Sequence, residues 1–277
     1  MNITAADVNK LRQLTGAGMM DCKKALTEAN GDFEEAVVIL RKKGQKVSAS
    51  RADREANEGV IIALTSADNS FGLIAEVTCE TDFVAKNEDF GSMAQEIANI
   101  AMNKKITDKE TLLQEQMGGI SIAEKLIEYT GKIGEKISLQ SLSTLSGEGV
   151  VSYVHSNSKL GVLVALNQGV TGEVEAAGKD VAMQIAAMNP VAVDKDDVDP
   201  SVIEREIEIG KDQARAEGKP ENIVEKIAMG KLNKFYQDNT LLNQAFVKDS
   251  SVNISQMLDK VSKGLTVKAF RRVAIGA

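Results

Sequence analysis

The feature that most constrains this chain is an internal repeat. Phe71-Gly72-Leu73-Ile74-Ala75 and Leu160-Gly161-Val162-Leu163-Val164 are both apolar runs built around a glycine, and the two glycines lie 89 residues apart. Before the first run, Val60, Ile61, Ile62 and Leu64 lead into Asp68-Asn69-Ser70. Before the second, Val150, Val151 and Tyr153 lead into His155 and Ser156-Asn157-Ser158. Apolar stretches joined by Asn, Asp and Ser turns read as β-hairpins. A helical pattern follows each hairpin, first Phe90, Met93, Ala94, Ile97, Ile100 and Ala101, then Val181, Ile185, Ala186 and Met188. Such spacing lines one helix face with apolar side chains. A strand–strand–helix unit used twice marks a duplication. A bare hairpin is weakly stable, so each helix must cover its strands. The chain is therefore expected to be α+β, with two related halves of antiparallel sheet and helices on one face.

The segments around the repeat fill in the plan. Near the N-terminus, Thr4 and Asp7 approximate a capping box, followed by Val8, Leu11 and Leu14 or Thr15. Gly16-Ala17-Gly18 breaks the chain, Cys22, Ala25, Leu26 and Ala29 mark a second stripe, and Asn30-Gly31 ends it. Asp32 caps a third helix with Phe33, Ala36, Val37 and Leu40, so residues 1–44 are expected to form a three-helix bundle. Residues 45–57 read as a linker or a loosely docked helix, with Lys42, Lys43, Lys46, Arg51 and Arg54 making this the most basic region. The first half is then 58–140, with further helices over Asp108 to Met117 and Ile122 to Tyr129, and the second half is 141–277. Within the second, Pro190 ends a helix and Pro200 suits the first turn of the next. Val202, Ile203, Ile207 and Ala214 precede Gly218-Lys219-Pro220, and Ile223, Val224, Ile227, Ala228, Leu232 and Phe235 follow it. These are two amphipathic helices in an antiparallel hairpin inserted at about 199–236. Phe246-Val247 returns the chain, Ile254 to Val261 is a short helix, and Leu265 to Ile275 is the last strand.

Chemistry is sparse. His155 is the one histidine, which argues against histidine-based triads and multi-histidine metal sites. Gly172 to Lys179 resembles a phosphate loop superficially, but five residues separate its glycines and Asp180 stands where Ser or Thr would hold magnesium. Gly172 is read as a turn and Gly178 as a helix-interior residue tolerated by packing. The run Asp194, Asp196, Asp197, Asp199 lacks the glycine and glutamate of a calcium loop and reads as a solvated connector. No metal, cofactor or nucleotide is expected on the chain itself, and covalent catalysis is not expected. With 40 acidic against 33 basic residues, a net charge of −7 argues against direct nucleic-acid binding. Cys22 and Cys79 have no metal-site spacing and suit a reducing cytoplasm. A membrane span and a signal-peptide core are not expected either.

Between the first hairpin and its helix lies Thr81-Asp82-Phe83-Val84-Ala85-Lys86-Asn87. Thr81 or Asp82 is placed to cap the helix that follows, and Phe83 falls on a corner, either stapled to its own helix or offered to a partner. This heptapeptide resembles the signature of the elongation factor Ts family, the nucleotide-exchange factors of the GTPase elongation factor Tu. Leu14-Thr15-Gly16-Ala17-Gly18-Met19-Met20-Asp21-Cys22-Lys23-Lys24-Ala25-Leu26 resembles the same family. So do the duplication and the helical-hairpin insertion, and together they cover essentially the whole chain.

The resemblance implies a ubiquitin-associated-like N-terminal bundle that contacts the GTPase's nucleotide domain, and an insertion of coiled-coil type. It implies that Thr81, Asp82, Phe83 and Val84 dislocate Mg²⁺ from elongation factor Tu, with Phe83 as a wedge. Partner contacts are implied for Arg12, Met19, Met20 and Lys23, for Ile133 and Gly134 in a Lys-Ile-Gly-Glu stretch, for His155 at a hairpin tip, and for Val247. Ser156-Asn157-Ser158-Lys159 departs from the family's usual tip, and Gln184, where some relatives carry histidine, is assigned no role. A homodimer and a heterotetramer with the partner are both compatible. Two other readings compete. A ubiquitin-associated-like adaptor without exchange activity fits the bundle but not the duplication. A small-molecule enzyme would need converging titratable groups that one histidine and two distant cysteines do not supply.

Overall fold

The structure, a computed structural model, describes residues 3–276. Residues 1, 2 and 277, which the expected bundle and second half include, lie outside the described residues. The fold is α+β: helices at the N-terminal end, then sheets interleaved with helices. The chain divides into two compact units. The first takes the described residues to Ile62, Ala75–Ser143 and the end from Ala274, and the second takes Ala63–Ile74 and Thr144–Val273.

The chain opens with α1 (Ala5–Thr15), α2 (Met19–Glu28) and α3 (Phe33–Ser50). The expected capping box forms at Thr4, which receives the Asp7 N–H at 3.2 Å and returns its own N–H to the Asp7 carboxylate at 3.0 Å. Val8, Leu11, Cys22, Ala25, Leu26, Ala29 and Ala36 pack into the core between the three helices. Of the two candidates at the end of α1, Thr15 turns inward, donating to the Leu11 carbonyl at 2.8 Å, and Leu14 is left 71% exposed. Helix α3 does not end near residue 44 but continues to Ser50, and Gly44 lies on the face where α3 meets a later helix.

Next come β1 (Glu58–Thr65), β2 (Phe71–Cys79), α4 (Asp82–Ala85), α5 (Glu88–Lys104) and α6 (Lys109–Gln114). A miniature hairpin, β3 (Gln116–Met117) and β4 (Ile120–Ser121), leads into α7 (Ile122–Ile133) and β5 (Ser138–Ser146). The second set is β6 (Gly149–Val154), β7 (Leu160–Leu166) and α8 (Gly172–Met188), then α9 (Pro200–Ala216) and α10 (Glu221–Asn239). It closes with β8 (Ala245–Phe246), β9 (Asp249–Asn253), α11 (Ile254–Val261) and β10 (Val267–Ala274). Strand β5 and two miniature hairpins, β3–β4 and β8–β9, escaped the sequence pattern. Met117, expected at a helix end, belongs to β3.

The duplication reaches the topology. One sheet runs β1-β2-β5 and the other β6-β7-β10, so in each the returning strand lies beside the second strand of the hairpin. Contacts pair Thr78 with Ser138 and Glu76 with Ser141. Numbers falling on β2 as they rise on β5 make that pair antiparallel. Strands β6 and β7 are antiparallel from Gly149↔Leu166 to Val154↔Gly161. Helix α8 covers β6 and β7, and α5, in the corresponding place after the first hairpin, spans the same 17 residues. In the second unit, Val151, Val162, Val164 and Leu166 meet Val174, Ala177, Val181 and Ile185 of α8. Gly178 sits inside that helix because a Cβ there would come within 2.7 Å of a Val151 methyl.

Helices α9 and α10 pack side by side, and a Cβ on Gly210 would lie 3.0 Å from the Ala228 Cα. Asp199 caps α9 by accepting the Ser201 N–H at 2.8 Å, with Pro200 in the first turn. The pair is zipped at its root. The Val191 N–H donates to the Asn239 carbonyl at 2.9 Å, and the Leu241 and Leu242 N–H groups donate to Ala192 and Val193 at 3.0 and 2.9 Å. Among the described residues, no helix is long and apolar enough to cross a membrane.

Candidate functional site

The site is built where β2 runs out. Cys79 closes the strand fully buried and donates its thiol hydrogen to the Thr81 carbonyl at 3.2 Å. Burial, with the nearby Glu135 and Glu58 carboxylates, pushes that thiol up to about 12. At Glu80, burial alone would raise the carboxyl. The Lys136 N–H at 2.6 Å and the Arg51 guanidinium at 2.8 and 2.9 Å outweigh it and hold the group below its usual range.

Thr81 then turns the chain. Its N–H donates to Glu135 Oε2 at 3.0 Å and its hydroxyl to Glu135 Oε1 at 2.7 Å. Helix α4, only four residues long, follows at once. Successive helical positions point about 100° apart, so Phe83 and Val84 present different faces of α4. Val84 turns inward, and Phe83 is left 83% exposed. It is not stapled to its own helix. Asp82 accepts from Lys86 Nζ at 2.6 Å, and that hydrogen bond and charge hold the Lys86 ammonium above its ordinary value.

The sequence expectation for the cap was wrong here. Neither Thr81 nor Asp82 caps the long helix. Asn87 does so, accepting the Asp89 N–H at 2.8 Å. The hydroxyl of Thr81 is committed to Glu135 instead, a pairing across 54 positions that no local pattern reveals.

In the same unit, Arg12, Met19, Met20 and Lys23 are all exposed on α1 and α2. Both methionines face solvent, Met20 the more at 64%. The loop between these helices reaches the end of α7. A Cβ on Gly16 would lie 3.0 Å from Lys132 Nζ, and Lys132 pairs with Asp89 at 3.3 Å near the start of α5. Ile133 and Gly134 close α7, with Gly134 in the left-handed region at φ +84°. The Thr81–Val84 corner and the Ile133–Gly134 turn are therefore brought together through Glu135, which sequence reasoning did not single out.

A cavity of about 350 Å³ lies between α3, α7 and the α1–α2 loop, with Leu14, Val37 and Leu40 on its wall. Its charges are matched internally: Lys43 with Asp21, Arg41 and Lys125 with Glu128, and Lys132 with Asp89.

The second unit carries the other two residues. His155 is exposed at the β6–β7 turn, its Nδ1 2.9 Å from the Tyr153 hydroxyl, and Ser158 takes φ +56° to complete the turn. Val247 is half exposed between β8 and β9, and its N–H donates to Gln184 Oε1 at 2.9 Å. Gln184, assigned no role from sequence, is fully buried and also donates to Gln244 Oε1 and the Ala245 carbonyl, both at 3.1 Å. It anchors the segment that presents Val247.

The elongation factor TS family model matches residues 80–277. The chain is 58% identical over 274 residues to elongation factor Ts of Cytophaga hutchinsonii, covering 99% of both proteins. It is 55% identical over 278 residues to that of Amoebophilus asiaticus, covering all of both, and 52% identical over 274 residues to that of Flavobacterium psychrophilum, covering 99% of both. A signature corner, a duplicated sheet topology and full-length similarity at this level agree: the chain belongs to the elongation factor Ts family.

Proposed function

We propose that the protein is a guanine-nucleotide exchange factor that binds elongation factor Tu·GDP, disturbs its Mg²⁺ and phosphate site and promotes GDP release so that GTP can bind. The observation that carries this reading is Phe83, an aromatic side chain 83% exposed on a four-residue helix whose next side chain, Val84, is buried. In this reading the ring is offered to the partner, whose contact takes it out of water. Asp82 beside it brings a short carboxylate to the same corner.

Exchange needs no covalent step. The factor must bind the nucleotide-free GTPase better than the loaded one, and linkage makes the penalty reciprocal. A thousandfold weakening of nucleotide binding needs about 4 kcal/mol. Burying one Phe contributes roughly 1.5–3 kcal/mol, and perturbed polar contacts supply the remainder. In this reading the corner Thr81, Asp82, Phe83 and Val84 acts at the magnesium site, Asp82 and Phe83 reaching the partner while Thr81 and the buried Val84 hold the corner in place. Arg12, Met19, Met20 and Lys23 dock the N-terminal helices, and Ile133, Gly134, His155 and Val247 extend the contact. The working compartment is the cytoplasm, where elongation takes place.

The test is release of a fluorescent GDP analogue from elongation factor Tu. Strong acceleration by the wild-type chain that falls with Phe83→Ala is the expected result. No acceleration of a competent partner would refute the exchange reading.

A further inference from the structure

We propose that Glu135 is a positioning residue that presents Phe83 to the partner, an inference that rests on the exchange reading above. In a capping box, the residue three positions into a helix returns its carboxylate to the N–H of the capping residue. At α4 that residue is Val84, whose side chain is apolar and buried. Glu135 supplies the missing carboxylate from 54 residues away, taking both the N–H and the hydroxyl of Thr81. Two donors on one charged acceptor fix orientation as well as position.

The arrangement is reciprocal. The backbone N–H of Lys136 donates to the Glu80 side chain at 2.6 Å, so residues 80–81 and 135–136 clasp each other in both directions. The outer face of the clasp is tied to the end of α3. Arg51 holds Glu80, and Lys136 Nζ donates to the Ala52 and Arg54 carbonyls at 2.7 and 3.0 Å. Gly134, in the left-handed region at φ +84°, turns the chain after α7 so that Glu135 points back at Thr81. A four-residue helix has too few internal hydrogen bonds to hold its own direction. The clasp sets that direction, and with it the angle at which Phe83 leaves the surface. Holding the aromatic in its inserted orientation in advance removes an ordering cost from the step in which the wedge enters the bound partner and displaces nucleotide.

The experiment measures nucleotide release from the partner GTPase at saturating factor for wild type, Glu135→Ala, Phe83→Ala and the double variant. Glu135→Ala is expected to slow the maximal rate about tenfold, the size of effect one charge-assisted hydrogen bond commands. It is expected to add nothing in the Phe83→Ala background, because it acts through that side chain. Thr81→Val is expected to follow Glu135→Ala, and Thr81→Ser to restore the rate. Wild-type exchange by Glu135→Ala alongside a slow Phe83→Ala would overturn the positioning role, as would losses that multiply in the double variant. Wild-type exchange by Phe83→Ala would remove the wedge and the clasp's role together. If Glu135→Ala fails to fold, Thr81→Val, which keeps the side chain's shape, decides by the same comparison.

Discussion

Two facing glycines yield a prediction of opposite signs. Helix α3 carries Gly44 and α7 carries Gly131, and a Cβ built on Gly131 would lie 2.5 Å from the Gly44 Cα. Ordinary carbon–carbon contact is about 3.5–4.0 Å, so Gly131→Ala must push the helix backbones apart by about 1 Å. No side chain can rotate to relieve the clash. Overpacking costs about 1–3 kcal/mol, and a backbone-on-backbone clash belongs in the upper half of that range. Replacing a helical glycine by alanine returns up to about 1 kcal/mol, leaving Gly131→Ala destabilising by about 1–2 kcal/mol. A Cβ on Gly44 would meet the Ile127 carbonyl oxygen at 3.4 Å and the Gly131 Cα at 3.7 Å, which is ordinary contact. Gly44→Ala should therefore keep the propensity gain and stabilise by up to about 1 kcal/mol. The readout is amide hydrogen exchange across α3 and α7, because a global melting curve would mix the transitions of two units. Faster exchange for Gly131→Ala and equal or slower exchange for Gly44→Ala are expected. Equal destabilisation by both, or a neutral Gly131→Ala, would refute the crossing distance.

Three further outcomes follow from burial and bonding. Phe83→Ala should cost under about 0.5 kcal/mol of folding stability in chemical denaturation, because little of a side-chain burial worth roughly 1.5–3 kcal/mol is realised in the free protein. A loss above about 1.5 kcal/mol would mean that the ring is packed and not displayed. Gln184→Leu should cost about 2–4 kcal/mol, since it leaves the Gln244 Oε1 and the Val247 N–H without their Gln184 partner, at roughly 1–3 kcal/mol for each group left unpaired. A neutral effect would refute the anchoring role. Cys79 is raised from 9.0 to about 12 in the folded chain, so its contribution is fully present below pH 9 and is lost as pH rises from 9 to about 12. Cys79→Ala should therefore flatten the stability curve in that window, and an unchanged slope would exclude the thiol as the cause.

What the sequence made legible was whatever its own periodicity encodes. The two hairpins with their helices, the Thr4 capping box and the span Ile254–Val261 all appear at or near the expected positions. Strand β5 was hidden because Leu139, Leu142 and Leu145 recur every third residue among serines, a spacing that conceals the two-residue period of a strand. Leu139 and Leu145 are the buried members. The β3–β4 and β8–β9 hairpins are too short for any pattern to emerge. At the candidate site, the signature picked out Phe83 and the composition of α4 left its direction open. Glu135, Arg51 and Lys136 could not be read at all, since their partners lie 29 to 84 residues away in sequence. Gln184 was missed for the same reason: only its bonds to Gln244, Ala245 and Val247 show what a buried amide does there.

The zipped root of α9 and α10 has a consequence for how this chain tolerates change. Residues 191–193, ahead of α9, are hydrogen-bonded to residues 239–242, where α10 ends. The two ends of the intervening 45 residues are thus already closed by the surrounding fold. Loop-closure entropy grows only slowly with length once the ends are fixed. The helix pair is therefore a cassette whose length is set by its own packing, and turns can be added to or removed from both helices together while the sheet beneath keeps its register. Evolution can tune the reach of this arm without renegotiating the core that carries it.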